Sequence, residues 1–180
     1  MSFSAHNYFL RPTKVSDLPF YRSMMQNPDW LDNSGFSLED FKRDDQLLRF
    51  MSPKDSFGFC GIVIDKINNN EIGFCHFVQV KNNVAECTGG LIKEIHNHGH
   101  GISAYACCIN DFFLLRPQCH TIQSCIMRSN IRSLKMNLRL GFQLEGIRKY
   151  DSRLFDVLCV TREQFYNNNF VNTLFEKRFI

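Results

Sequence analysis

The chain lacks long apolar runs, close cysteine pairs and a strong bias of charge, and each absence removes a class of protein. No window of its 180 residues approaches the roughly 18 uncharged apolar residues of a membrane span. The opening MSFSAHNYFLRP shows no basic segment leading into an apolar one, as a secretory leader would. No membrane partner is expected, and the predicted location is cytoplasmic. The eight cysteines, Cys60, Cys75, Cys87, Cys107, Cys108, Cys119, Cys125 and Cys159, include no CxxC pair and stand mostly in apolar runs. They read as reduced core thiols rather than a disulfide framework. A net charge of +3 is too small to imply nucleic acid. No internal repeat, low-complexity segment or linker divides the chain. What remains is 44% apolar, enough to bury a core without staples, so residues 1–180 are expected to form one domain.

The small net charge is unevenly spread. Residues 128–153 carry Arg128, Arg132, Lys135, Arg139, Arg148, Lys149 and Arg153 against Glu145 and Asp151, a local +5. Residues 27–47 carry Asp29, Asp32, Glu39, Asp40, Asp44 and Asp45 against Lys42 and Arg43, a local −4. Solvated helix faces account for such runs; an anionic ligand near the first and a cationic one near the second is the functional reading.

Periodicity and punctuation give the order of elements. An apolar run at Tyr8-Phe9-Leu10 precedes a helix opened by Ser16-Asp17 and ended by Pro28. Ser37 and Asp40 form a capping pattern for a second helix to Met51. Residues 57–65, 71–80 and 84–92 are rich in β-branched and aromatic types and are separated by Asn-rich turns, which predicts three antiparallel strands. Ile102, Tyr105, Ala106, Ile109, Phe112 and Phe113 then recur at helical spacing until Pro117. A strand at 120–127, a helix led by Asn130 and closed by Gly141, and strands at 142–150 and 154–160 follow, with a polar-aromatic tail. The sum is β-α-α-β-β-β-α-β-α-β-β.

Between the third of those strands and the buried helix stands His96-Asn97-His98-Gly99-His100-Gly101. A strand that hands over to a helix exposes unpaired N–H groups at the positive end of the helix dipole, and glycines let an anion reach them. By that chemistry the junction is expected to bind phosphate, an expectation that rests on the order of elements around it.

The order of elements, with these residues, resembles the GNAT acyltransferases. Ala85-Glu86 opens the fourth strand, and the junction stands where that family shows Gln/Arg-x-x-Gly-x-Gly/Ala, eleven residues after Ala85. Asn130-Ile131-Arg132-Ser133, Leu140-Gly141-Phe142 and Glu145-Gly146 resemble the branch of the ribosomal-protein N-terminal acetyltransferases RimJ and RimL. The resemblance implies an α+β fold with a mixed, mostly antiparallel sheet flanked by helices. It also implies that the fourth and fifth strands splay apart, so that the pantetheine arm of acetyl-coenzyme A lies between them as a strand would. On that reading the cofactor meets Leu91, Ile92, His96, Asn97, His98, Gly99, His100, Gly101, Ile102, Asn130, Arg132 and Ser133. Gly89-Gly90 is expected to form the bulge where the fourth strand turns away.

The implied chemistry is attack of an amine on a thioester, through an oxyanion, with release of thiolate. An amine with a pKa near about 10 needs a base or a water chain to take its proton. Glu86 and Asp151 are the expected carboxylates. Many relatives place a Tyr seven residues after the Asn to protonate the thiolate; here that position is Asn137, and Ser133 is the expected partner instead. The acceptor pocket is expected to draw on residues 30–36 and 150–155, with Trp30, Phe36 and Tyr150 as the expected acceptor-binding residues. The acceptor is a protein N-terminal amine or a small-molecule amine; a polyamine, an aminoglycoside or an amino sugar is the alternative, as is a module that binds acyl-CoA without turnover. A monomer or homodimer is expected. His96, His98 and His100 alternate, which admits a metal site, but no acidic or thiol ligand follows at short spacing and no metal is expected.

Overall fold

The computed structural model describes residues 5–96 and 99–176. Strand β1 (Tyr8–Pro12) leads to helices α1 (Leu18–Met25), α2 (Pro28–Ser34) and α3 (Asp44–Phe50). Strands β2 (Phe59–Asp65), β3 (Asn70–Lys81) and β4 (Val84–Leu91) then precede α4 (His100–Leu115), β5 (Thr121–Met127) and α5 (Ile131–Arg139). The order closes with β6 (Gln143–Tyr150), β7 (Arg153–Thr161), α6 (Arg162–Tyr166) and α7 (Asn169–Glu176). The strands form one sheet in the order β1-β2-β3-β4-β5-β7-β6. Every pairing is antiparallel except β4 with β5.

Alternation along β2 and β3 sends successive side chains to two cores. Val63, Cys75 and Phe77 face α4, where Ala104, Ala106 and Cys108 allow close approach and Phe77 stacks on Phe112 at 4.0 Å. Ile62, Ile64 and Phe74 face α1, α2 and α3, joining Tyr21, Met25, Trp30, Phe41 and Leu47.

The expected elements differ from the observed ones in three places. Pro28 does stop α1, but it also occupies the first turn of α2, where its missing N–H costs nothing and Asn27 Oδ1 accepts from the Asp29 N–H at 3.0 Å. The second expected helix breaks into a 3-10 turn (Leu38–Phe41) and α3, because a second cap intervenes: the Arg43 N–H donates to Gln46 Oε1 at 2.9 Å. The tail is helical. Thr161 caps α6 by accepting from the Gln164 N–H at 3.1 Å, and the Arg162 guanidinium donates to the carbonyls of Phe113 and Arg116 at the end of α4 and of Cys119 just beyond it.

Tyr21 and His76 share a 2.6 Å hydrogen bond inside the second core. Burial holds His76 far below its ordinary 6.5, at about 3, so the folded protein keeps it neutral. The unfolded chain protonates it near 6.5; below that pH the unfolded state binds a proton that the folded state refuses. The stability that a neutral His76 allows is complete above pH 6.5 and is lost progressively as pH falls toward 3. His76→Gln retains an acceptor for the Tyr21 hydroxyl and is expected to flatten the acid limb of melting temperature against pH. An unchanged limb would assign the acid sensitivity to other groups.

Candidate active site

The β4–β5 ladder is only three residues long: Val84, Ala85 and Glu86 pair with Thr121, Ile122 and Gln123. Beyond Glu86, β4 continues against β3 as far as Leu91 while β5 continues against β7, so the two strands part. The bulge expected at Gly89-Gly90 is absent; the register of β4 against β3 shifts instead at Gln79/Lys81. Gly89 and Gly90 serve α2. A Cβ on Gly90 would lie 2.5 Å from Trp30 Cδ1, and the Trp30 indole N–H donates to the Gly89 carbonyl at 3.4 Å. The glycines let an aromatic ring lie directly on the strand.

A cavity of about 450 Å³ opens where the strands part. Gly99, Gly101 and Ile102 line it. Gly99 has φ +76 as the N-cap of α4, a left-handed conformation that suits glycine. Leu91 and His96 join them, Asn130 caps α5, and α5 contributes Arg132, Ser133, Lys135, Asn137 and Arg139. From α2 come Asp29, Trp30, Asn33 and Ser34. Among the described residues Asp29 is the one carboxylate on the wall; it pairs weakly with Lys93 at 3.7 Å.

The expected cofactor residues are brought together only in part. Leu91, His96, Gly99, Gly101, Ile102, Asn130, Arg132 and Ser133 line the cavity; Asn97 and His98 lie outside the described residues. Ile92 packs between the two cores, with its N–H on the Ile72 carbonyl at 2.9 Å. The His100 ring turns away from the junction: its Nδ1 shares a 2.5 Å hydrogen bond with the hydroxyl of Tyr8, which burial raises to about 12. His96 Nε2 lies 3.0 Å from the Leu91 carbonyl, an acceptor, so Nε2 carries the proton and Nδ1 faces Arg132 Nη1 at 3.3 Å. His96 thus ties the end of β4 to the first turn of α5, while His100 serves β1. The two rings have different neighbours, and among the described residues no group of three His, Cys, Asp or Glu side chains is arranged to hold a metal ion.

The expected catalytic and acceptor residues separate further. Glu86 lies off the cavity wall, where its Oε2 accepts from Arg148 at 2.9 Å, Gln123 at 2.7 Å and the Cys125 thiol at 3.3 Å. Asp151 stands exposed in the β6–β7 turn with φ +51, away from the cavity. Tyr150 is exposed beside Arg148 and Phe155. Phe36 stacks behind Trp30 at 5.6 Å rather than on the wall. Of the acidic run, Asp44 and Asp45 pair with Arg22, Arg43 and Arg49, and Asp40 caps Ser37, which leaves little of the run's charge for a ligand.

Asn33 and Ser34, within the expected stretch 30–36, do line the cavity, whereas sequence reasoning missed Tyr105 and Met136 as wall residues. The Tyr105 hydroxyl, 2.8 Å from Ser124 Oγ, is pushed up by burial, and so are the thiols of Cys75 and Cys125, the latter to about 12. These groups stay protonated near neutral pH and make a largely apolar wall rather than a set of nucleophiles. A signal for the α5 wall was available: Asn130, Ser133 and Asn137 recur at helical spacing.

The geometry gathers a glycine-bearing helix start, two parted strands and a polar helix around one cavity. The family model for the acetyltransferase (GNAT) domain matches residues 7–143, and the chain belongs to that family. It has the fold of GNAT N-acetyltransferases. No curated protein matches it in sequence. Among solved structures it is similar to spermidine N-acetyltransferase from Vibrio cholerae in complex with CoA and spermine, with TM-score 0.78, 16% identity, and 90% of this chain and 99% of that one covered. An uncharacterized protein from Bacillus halodurans has TM-score 0.79 at 13% identity over 97% of this chain and 96% of that one. The dodecameric form of the Vibrio enzyme in an intermediate state has TM-score 0.68 at 14% identity, with 91% and 99% covered. At these identities the likeness is one of fold.

Proposed function

We propose that the protein transfers the acetyl group of acetyl-CoA to a small-molecule primary amine by direct attack within a ternary complex. The observation that carries this is the single cavity shared by the cofactor loop and α2, which leaves room for thioester and amine to meet without a covalent enzyme intermediate. The N–H groups at Gly99 and Gly101 hold the pyrophosphate, and Arg132, Lys135 and Arg139 supply positive charge for the phosphates. The pantetheine arm lies along the parted edges of β4 and β5, with Asn130 beside it. Ser133 donates to the departing thiolate. Bound acetyl-CoA supplies the activated acyl group.

The amine enters from the α2 end. Asp29 faces its cationic body, and Trp30 with Phe74 forms an apolar floor. Water takes the amine proton, since the oxygen of Glu86 nearest its neighbours already serves three donors and Asp151 lies outside. Free thiols throughout the described chain suit a reducing cytoplasm. The RimJ/RimL-like spacing of Asn130, Ser133, Gly141 and Gly146 favours a second reading, a protein N-terminal amine as acceptor.

A panel of polyamines, amino sugars, aminoglycosides and peptides, followed by thiol release, tests the proposal. Turnover is expected with at least one small amine. Asp29→Asn should raise KM for that amine by about 5- to 50-fold, the scale of one partly solvated charge contact, with cofactor affinity unchanged. Preference for peptides would favour the second reading. Acetyl-CoA binding without turnover on any acceptor would make the chain a binding module.

A further inference from the structure

Asn137 is 2% exposed, lies on the cavity wall, and has a side chain that is half satisfied. Its Nδ2 donates to the Ser133 carbonyl at 2.9 Å, whereas Oδ1 is buried with no hydrogen-bond partner. A buried carbonyl without a donor is a standing cost that a native structure accepts where a ligand supplies the missing proton. On α5, Asn130, Ser133 and Asn137 follow one another along the wall, spanning about 10 Å at the helical rise.

We infer that Asn137 Oδ1 accepts a hydrogen bond from the thiol S–H of coenzyme A, so that the site recognises the product and not the thioester. The inference rests on the proposed binding of acetyl-CoA in this cavity. The arm carries two amide N–H groups, one hydroxyl and the thiol as donors. Its amide N–H groups meet the strand edges that lose their ladder beyond Glu86 and Gln123, and its hydroxyl belongs to the pyrophosphate end of the arm, which leaves the sulfur end as the donor without an assigned acceptor. A thioester sulfur has no proton; the donor exists only after transfer.

As the deprotonated amine attacks, the C–N bond forms and the C–S bond breaks. The new amide nitrogen gives its extra proton to water, and the thiolate takes one up from Ser133 or water, with the serine reprotonated by solvent. An amide side chain has no acidic proton to give, so Asn137 takes no part in that transfer. It acts afterwards, on the neutral thiol, and slows release of coenzyme A.

Calorimetry with coenzyme A, S-methyl-coenzyme A and acetyl-CoA separates the contributions, because only the first carries an S–H. For Asn137→Leu, which is close in volume, coenzyme A affinity is expected to fall about 2- to 10-fold, the range of one hydrogen bond, while the other two hold. Asn137→Ala gives the same comparison should the leucine variant fold poorly. A parallel shift of all three affinities, or no shift, overturns the inference and leaves Asn137 a structural residue or the host of a buried water. A wild-type protein that binds none of the three ligands would instead overturn the cofactor reading itself.

Discussion

Gly101→Leu is expected to lower affinity for acetyl-CoA by about 100-fold or more while the protein stays folded. Gly101 lies in the first turn of α4, and a Cβ built there meets Leu91 Cδ1 at 3.5 Å, an ordinary contact. The protein therefore has room for a side chain at this position. The cofactor does not, because a phosphate bound by helix N–H groups approaches to hydrogen-bond distance of the backbone, and four added carbons occupy that approach. Loss of several charge-assisted hydrogen bonds accounts for a change of that size. Gly99 is the poorer test, since its φ of +76 makes any side chain costly to folding before a ligand is considered. Calorimetry on Gly101→Leu, with a melting curve as control, decides the matter. Unchanged affinity in a folded variant would move the phosphate site away from this junction.

Ser133→Ala is expected to lower kcat by about 10- to 1000-fold with little change in cofactor affinity, the pattern of a group whose hydrogen bond strengthens as the thiolate forms. Ser133 is half-buried on the cavity wall, fixed by its own N–H on Asn130 Oδ1 at 3.1 Å. That capping contact uses the backbone and leaves the hydroxyl for the ligand. With water as the proton carrier, Glu86→Gln and Asp151→Asn should both keep the lower limb of the pH–rate profile. A lost limb in either variant would name the base. Full kcat for Ser133→Ala, in an assay limited by chemistry, would leave catalysis to backbone positioning alone.

Much of this molecule was legible in local pattern. Three strands of β-branched and aromatic residues between Asn-rich turns, a buried helix after paired glycines, and a helix framed by Asn130 and Gly141 were all set by short-range rules of period, capping and turn chemistry. Gly141 does adopt φ +92 at the end of α5, and Asn130 does cap its start. The split of the second expected helix was harder, because its first cap was visible at Ser37 while the second, Arg43 with Gln46, does not look like a cap in sequence. The two C-terminal helices were missed for a related reason: α6 is five residues long and is held by Arg162 on the end of α4 rather than by its own periodicity.

The site divides in the same way. The amino-acid sequence by itself determined the order of the strands with α4 and α5, the glycines at the start of α4 and the spacing of Asn130, Ser133 and Asn137 on α5, because each depends on residues within two or three turns of one another. Only the tertiary structure decided that Asp29 rather than Glu86 or Asp151 supplies the wall's carboxylate, that His100 belongs to Tyr8, and that Asn137 keeps a carbonyl without a partner. Those outcomes depend on where β4 leaves β5 and on the placement of α2 by Trp30 against Gly89 and Gly90, contacts between residues far apart in the chain. A carboxylate in a sequence has no direction; packing gives it one.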